Sequence, residues 1–286
     1  MDETLRRIGA KLALLPDLHG RRESHGEQGH RLRVAPLVPE GDIADFEARH
    51  GVKLPEGYRR FLTEVSGGGV GPGYGLSTLS SNDHPSCDYA TESAVRDGNP
   101  DVAAWLRAFG EDDDPWAGTI EIAYHGCADF TRLVLTGPER GRVFCANRDA
   151  EDCTFAADDF LDWYETWLDT TTRVEDASRR TAHPGDEAEL IAAFTDAPDR
   201  TSRFRAAWTL ATLPELTAPG RAAVVAATGS PERAVRALAI ALVGHLGIDD
   251  AAEVARGMLS DPDSIVRSAA RRVQSTVDRD ALDHGF

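Results

Sequence analysis

The sequence predicts an α+β domain, built from an antiparallel sheet with flanking helices, followed by an all-α domain of helical repeats. Charge supports the division: residues 36–175 hold 11 Lys or Arg and 27 Asp or Glu, a net of −16, whereas residues 176–286 hold 13 and 16, a net of −3. A motif that recurs every 31 residues near the C-terminus also supports it. A chain of 286 residues can form two domains. We expect residues 1–172 to form the first, 173–188 a linker and 189–286 the second.

The N-terminal elements follow from apolar spacing and from helix-ending residues. Four leucine or isoleucine residues at helical spacing predict a first helix over residues 3–15, and a polar run with three glycines predicts a loop over 20–30. A helix over Glu40–His50 is expected to end at Gly51, and Pro55 suits the start of the next. That next helix has an apolar stripe formed by Tyr58, Phe61, Leu62 and Val65.

The sheet is predicted from β-branched and aromatic residues between turn signals. The expected elements, in order, are an extended segment at Tyr74–Leu79, a helix at 101–109, a strand at Thr119–Tyr124, strands at Phe130–Thr136 and Arg142–Ala146 joined by a GPERG loop, and an aromatic helix at Ala157–Thr170. Helices followed by an antiparallel meander and a closing helix are typical of an α+β domain.

The C-terminal block is Ala-rich and repetitive. Arg205, Arg236 and Arg267 are separated by 31 and 31 residues. An apolar residue precedes each arginine, small residues follow it, and a proline turn lies upstream. The first of these turns has two extra residues. The pattern is typical of paired-helix solenoids and resembles short HEAT-like repeats.

Composition excludes several classes of function. A formal net charge of −17 opposes binding to nucleic acid and to anionic membranes. No apolar run approaches the roughly 20 residues that span a bilayer, and the start MDETLRRIGA lacks the order of a secretory signal. We therefore expect a cytoplasmic protein.

The sequence contains no motif that predicts catalysis or a cofactor. Cys87, Cys127, Cys145 and Cys153 lack metal-site spacing, so reduced thiols are favoured over a zinc or catalytic site with a histidine. The glycine run at 67–71 follows a helix rather than preceding one, which argues against phosphate binding. The acidic run at 111–114 lacks the spacing of an EF-hand. We expect no metal, no cofactor and no enzymatic activity.

Three runs of the N-terminal block resemble the SUKH superfamily. They are IADFEARHGVKLPEGYRRFLTEVSGGGVGPGYGLSTL, IAYHGCADFTRLVLTGPERGRVF and FLDWYETWLD, and the resemblance covers roughly residues 1–170. It implies a binding module rather than an enzyme. The long polar loop at 20–30 and the acidic insertion at 111–114 depart from the family pattern.

The resemblance leaves two functions open. Bacterial members are commonly immunity proteins that bind and neutralise toxins, which implies a toxin domain as the protein partner. The acidic charge independently favours a basic partner such as a nuclease. A fungal branch regulates cell-wall synthesis, which implies instead a regulatory or scaffolding adaptor that makes its contacts through the repeats. A homo-oligomer is compatible with either function.

Five residues are candidates for the partner-binding surface. Tyr74, in the glycine-rich turn, and Trp116, just after the acidic run, are the expected aromatic anchors. Asp112, Asp113 and Asp114 are the expected acidic rim. For Tyr74 the alternative is a packed strand residue, and for the aspartates it is a role in solubility alone.

Overall fold

The computed structural model of the chain describes residues 2–15, 33–96, 114–147, 152–172, 181–248 and 250–283. Its contacts form two compact units. One spans Glu23–Trp167, and the other combines Asp2–Arg22 with Leu168–Phe286. The helix expected at 101–109 and the loop expected at 20–30 lie outside the described residues.

In the first unit, helix α2 spans Glu40–His50 and helix α3 spans Glu56–Glu64, as the sequence predicts. Gly51 ends α2 in the left-handed conformation, with φ of 61°. The buried carboxylate of Glu47 holds the connection between the two helices against α2, because it accepts hydrogen bonds from Leu54 N–H at 3.0 Å and Lys53 Nζ at 2.6 Å. The apolar stripe of α3 is buried at Tyr58, Phe61 and Leu62.

Four antiparallel strands form the sheet in the order β1-β2-β3-β4. They span Thr119–Gly126, Asp129–Val134, Val143–Asn147 and Asp152–Ala157. The meander from β1 to β3 is the predicted one, and β4 is an additional strand. Helix α4 then runs over Phe160–Thr172; its residues up to Trp167 belong to the first unit and those from Leu168 onwards to the second. Its first part packs the rings of Phe160 and Tyr164 against Phe61. The predicted α+β class is confirmed.

The extended segment expected at Tyr74–Leu79 does not form a regular strand. Leu76 makes single antiparallel bridges to Ala123 of β1 and to Gly69, and Gly69 makes a bridge to Val34. A continuous ladder is interrupted because Gly69 and Gly75 have positive φ, at 87° and 102°. The segment nevertheless carries the sheet pattern beyond β1.

The second unit consists of paired helices, which confirms the predicted repeat fold. The pairs are α5 (Glu187–Asp196) with α6 (Arg200–Thr212), α7 (Ala218–Ala227) with α8 (Arg233–His245), and α9 (Ala251–Met258) with α10 (Ser264–Asp283). Helix α8 is the centre of the packing, because it contacts α6, α7, α9 and α10. Its residues from Ala237 to Val243 are all buried.

The repeated arginines contact the proline turns. Arg236 Nη1 donates to the carbonyls of Ser230 and Pro231, at 2.9 and 3.0 Å. Arg267 Nη1 donates to those of Asp261 and Pro262, at 2.7 and 2.8 Å. In the first repeat this contact is made by Arg203, which donates to the carbonyl of Ala197 at 2.7 Å. Arg205, which has the 31-residue spacing in the sequence, donates instead to the carbonyls of Thr181 and Ala182. The contact with the turn moves to Arg203 because the two extra residues lie in the N-terminal turn of α6.

Helix α1, Glu3–Ala13, differs from the predicted domain boundaries. The sequence places it in the α+β domain, but it packs against α6 and α8 of the repeats. Ala10 and Leu14 belong to the repeat core, and Lys11 Nζ lies 2.6 Å from Asp169 Oδ1 with both side chains fully buried. The helix joins the second unit because its apolar face and its lysine find their partners there.

Candidate interaction surface

Two exposed tyrosines lie side by side at one end of the sheet. Tyr74, from the turn before Leu76, is 48% exposed, and Tyr124, near the end of β1, is 40% exposed. Their rings stack with centroids 5.5 Å apart and planes at 23°. Both are among the most exposed large apolar side chains of the described residues, and large exposed aromatic groups in contact mark interaction sites more often than isolated ones.

A third ring continues the stack across the sheet. Phe130 of β2 is the cross-strand partner of Tyr124, and the two rings stack with centroids 6.3 Å apart. We call Tyr74, Tyr124 and Phe130 the aromatic stack. Tyr124 is its middle ring, so it is supported on both faces.

The backbone holds Tyr74 in place. Its N–H donates to the carbonyl of Tyr124 at 2.9 Å. Gly73 has φ of 60°, and a Cβ there would collide with the carbonyl oxygen of Tyr124. A Cβ on Gly126 would lie 3.4 Å from Tyr74 Cε2, so the tyrosine ring lies over that glycine. The anchor is therefore ordered before a partner arrives, which reduces the entropy lost on binding.

His125 follows Tyr124 in β1, and a contact with β2 fixes its ring. Its Nε2 is 2.8 Å from Thr131 Oγ1, which in turn is 3.6 Å from Cys145 Sγ. Burial lowers the pKa of His125, and the nearby Asp129 opposes this effect, so the imidazole is neutral at pH 7. Because the threonine separates imidazole from thiol, the three do not form the direct nucleophile–base pair that covalent catalysis needs.

Comparison with protein families identifies both units. The model of the SMI1 / KNR4 family (SUKH-1) matches residues 37–166, and the model of HEAT repeats matches residues 187–274. The chain therefore carries a region similar to the SUKH-1 family, followed by a region similar to HEAT repeats. Both resemblances predicted from the sequence are thus confirmed. No curated protein and no solved structure matches the chain.

Both families indicate a protein-interaction role and are generally non-catalytic. Within the described ranges, no group of three His, Cys, Asp or Glu side chains could hold a metal ion. No helix of the described part is long and apolar enough to cross a bilayer. The aromatic stack, which is exposed and lies within the region matched by the SUKH-1 model, is the candidate contact surface.

Trp116 is not available as an anchor. It is only 7% exposed and packs on Phe144 of β3, with ring centroids 5.9 Å apart. Val95, Val134 and Ala146 complete this small core. The prediction is corrected because the sheet face beneath the tryptophan is apolar and encloses the ring.

Of the expected acidic rim, Asp112 and Asp113 lie outside the described residues. Asp114 is exposed, and its carboxylate accepts the backbone N–H of Trp116 at 2.9 Å. It therefore supports the turn that leads into β1. Among the described residues, Asp129 is an exposed acidic side chain beside the aromatic stack. It is the first residue of β2 and directly precedes Phe130.

Sequence reasoning missed Tyr124 and Phe130. Tyr124 was assigned to a strand, but the alternation of inward and outward side chains did not show that its ring is exposed. The pairing of β1 with β2 is irregular between Glu121 and Ala123 and again between Tyr124 and Gly126. A bulge changes which residues face outwards. The short Gly-Cys-Ala turn after Tyr124 was the available signal.

Proposed function

We propose that this protein is a cytoplasmic, bacterial immunity protein whose SUKH-1 domain binds and neutralises a basic toxin domain. The observation that carries the proposal is an exposed, pre-ordered aromatic stack on a domain whose sequence has a net charge of −16 over residues 36–175. Stacked tyrosines offer affinity, and the acidic field selects a basic partner.

The two features act at different stages of binding. The negative field attracts a basic surface over a distance set by the salt concentration and raises the association rate. Once the partner is in contact, Tyr74 and Tyr124 bury their rings and slow its dissociation. Tyrosine suits this role because it has few rotatable bonds and carries a hydroxyl group that can bond at the rim.

Neutralisation requires only that the active cleft of the toxin be covered. A nuclease carries Lys and Arg around its cleft because it must hold phosphate groups. An acidic domain seated on that cleft competes with the nucleic acid and needs no turnover of its own. Inhibition should therefore be stoichiometric, with one SUKH-1 domain for each toxin domain.

The HEAT repeats support a second candidate, a regulatory or scaffolding adaptor. Paired-helix repeats commonly present extended protein-binding surfaces, and here their sequence is nearly neutral, with a net of −3 over residues 176–286. In that case the main contact lies on the repeats, and loss of the aromatic stack leaves partner binding intact.

The deciding experiment is neutralisation of basic toxin domains encoded beside the gene. The purified chain should abolish toxin activity at a one-to-one ratio. Replacing both tyrosines (Tyr74→Ala with Tyr124→Ala) should weaken binding on the order of 100-fold or more. Leu37→Ala is the matched control, because Leu37 is an equally exposed apolar residue of the same unit, at 51%. Binding unchanged in the double variant would favour the adaptor.

A further inference from the structure

Among the residues that the structure describes, residues 33–38 form the outer edge of the extended sheet pattern. The segment has the sequence Arg-Val-Ala-Pro-Leu-Val, and its Val34 forms a β-bridge with Gly69. Gly69 forms a second bridge with Leu76, and Leu76 a third with Ala123 of β1. Two of the segment's apolar side chains, Val34 and Leu37, are 40% and 51% exposed. Exposed apolar residues on a sheet edge are unusual, because such edges attract other strands.

The hydrogen bonds of this segment show which backbone groups face outwards. Towards the domain, the carbonyl of Arg33 accepts from Val70 at 3.1 Å and the N–H of Ala35 donates to Gly68 at 3.1 Å. Val34 lies between these two bonds, so its own N–H and C=O point away from Gly69.

The same arrangement recurs three residues later. The carbonyl of Pro36 accepts from Gly67 at 3.2 Å, and the N–H of Val38 donates to Leu62 at 2.9 Å. Leu37 lies between these bonds and also points its backbone groups outwards. Within the part of the chain that the structure describes, the N–H and C=O groups of Val34 and Leu37 make no hydrogen bond.

The spacing of the two outward residues restricts what can pair with them. In a regular strand, residues that face one neighbour are two apart, about 7 Å, whereas Val34 and Leu37 are three apart, roughly 10 Å. The extra residue makes a β-bulge between Val34 and Leu37. Pro36 suits this bulge because proline has no N–H that would need a hydrogen-bond partner. A regular strand therefore cannot bond to both positions in register. A strand with the same bulge can.

We propose that this edge pairs with the same edge of a second copy of the chain. In an antiparallel, two-fold arrangement, Val34 of each copy lies opposite Leu37 of the other. Both pairs then exchange N–H···O bonds, and the two exposed side chains cover each other. Exposed Arg33 of one copy lies at the same end of the contact as Glu40 of the other, whose carboxylate pairs with Arg59 of its own chain and whose side chain is still 62% exposed.

The net charge determines how this association responds to salt. Two chains of −17 repel each other, and salt screens that repulsion. The dimer should therefore tighten as salt rises, whereas binding to a basic toxin should weaken. The proposal is independent of the proposed function, and the opposite salt dependence keeps the two tests separate.

The test is analytical ultracentrifugation of the full-length chain at low and at high salt. The concentration range runs from about 1 to about 300 µM, because a small interface gives a weak dimer. Leu37→Lys should raise the dissociation constant by about tenfold or more, since it places a charge in the apolar contact. It also reduces the net negative charge, so added repulsion cannot explain the loss. Tyr74→Lys makes the same change of charge at another exposed apolar site and should leave the dimer intact.

Register is tested by disulfide formation, in a background in which the exposed Cys127 and Cys145 are replaced by Ser. A mixture of Val34→Cys and Leu37→Cys chains should cross-link into heterodimers, while either chain alone should cross-link much less. A monomer at all concentrations, or a dimer that keeps its affinity in Leu37→Lys, would overturn the proposal. Equal cross-linking of each variant alone would overturn the register. Pairing with a strand of another protein while the chain stays monomeric would also overturn it.

Discussion

Gly73 holds the backbone before Tyr74 in the left-handed region, with φ of 60°. A side chain is disfavoured there for two reasons, the backbone conformation and the collision of a Cβ with the carbonyl oxygen of Tyr124. That carbonyl also accepts the N–H of Tyr74, so one glycine determines both the path of the turn and the position of the anchor.

We predict that Gly73→Ala lowers the free energy of unfolding by about 1–3 kcal/mol and also weakens partner binding. Urea unfolding and the dissociation constant would measure the two effects. Gly41→Ala is the matched control, because Gly41 lies in helix α2 with no atom within 4 Å of an added Cβ. It should be neutral or stabilise by up to about 1 kcal/mol. Equal effects of the two substitutions would contradict this account of Gly73.

The sequence could identify Tyr74 because glycines surround it, which indicates a turn that a partner can approach. It could not distinguish Trp116 from an exposed anchor, because a large ring after a loop has the same local signature whether it is buried or not. The burial of Trp116 depends on Phe144 and Val134, which are distant in sequence and meet it only when the sheet forms.

At the scale of elements, helix periodicity shows that a face is buried but not which unit buries it. Helix α1 was predicted with nearly its observed bounds, but the sequence placed it in the first domain, whereas its contacts group it with the second unit. The repeats show the same limit. The apolar position of the 31-residue repeat is buried in all three copies, at Phe204, Val235 and Val266. The arginine that contacts the proline turn, however, is Arg203 in the first copy. Strand β4 was missed because DCTFAA carries only one large apolar residue.

An ion pair between Lys11 and Asp169 joins α1 to the last turns of α4, within the second unit. Their ion pair is 2.6 Å long and fully buried, and Lys11 Nζ also lies 5.7 Å from the centroid of the Trp208 ring. Lys11→Met should lower the free energy of unfolding by roughly 3–5 kcal/mol, because it leaves a carboxylate in the core without this partner.

The double variant Lys11→Met with Asp169→Leu serves as the control. It should recover most of the lost stability, because an apolar pair of similar volume often replaces a buried ion pair without loss. Thermal and urea unfolding of the four chains in the cycle would measure this. Additive losses in the double variant would show that the pair is not the main contact of α1.

Close packing joins helices α8 and α10. A Cβ on Gly244 would lie 2.5 Å from Cγ2 of Val273, so Gly244→Ala should lower the free energy of unfolding by about 1–3 kcal/mol through overpacking. Adding Val273→Ala to the Gly244→Ala chain should restore part of the lost stability, because the smaller side chain makes room for the added methyl group. Gly257→Ala, in α9 with nothing within 4 Å of the added carbon, should be neutral or stabilising. Thermal unfolding would compare them, and no difference between the two alanine substitutions would contradict the close contact.

At the scale of the whole molecule, the uneven charge was visible in the sequence, and it is the property that most directly restricts the partner. Charge acts over about a Debye length and depends little on the conformation of a single loop. A prediction about association rate can therefore include Asp112 and Asp113, although their positions lie outside the described residues. Asp114, the third residue of the run, is exposed.

We predict that replacing Asp112, Asp113 and Asp114 by Asn slows association with a basic toxin domain about 3- to 10-fold at low salt and flattens the salt dependence of the rate. The dissociation rate should change little, because the aromatic stack remains. Stopped-flow association over a range of salt concentrations would measure this. The control removes three charges from exposed positions of the repeats, as Asp196→Asn, Glu215→Gln and Glu253→Gln, so both chains change from −17 to −14. If the control slows association as much as the first variant does, steering depends on net charge alone, and the acidic run is not part of the interface.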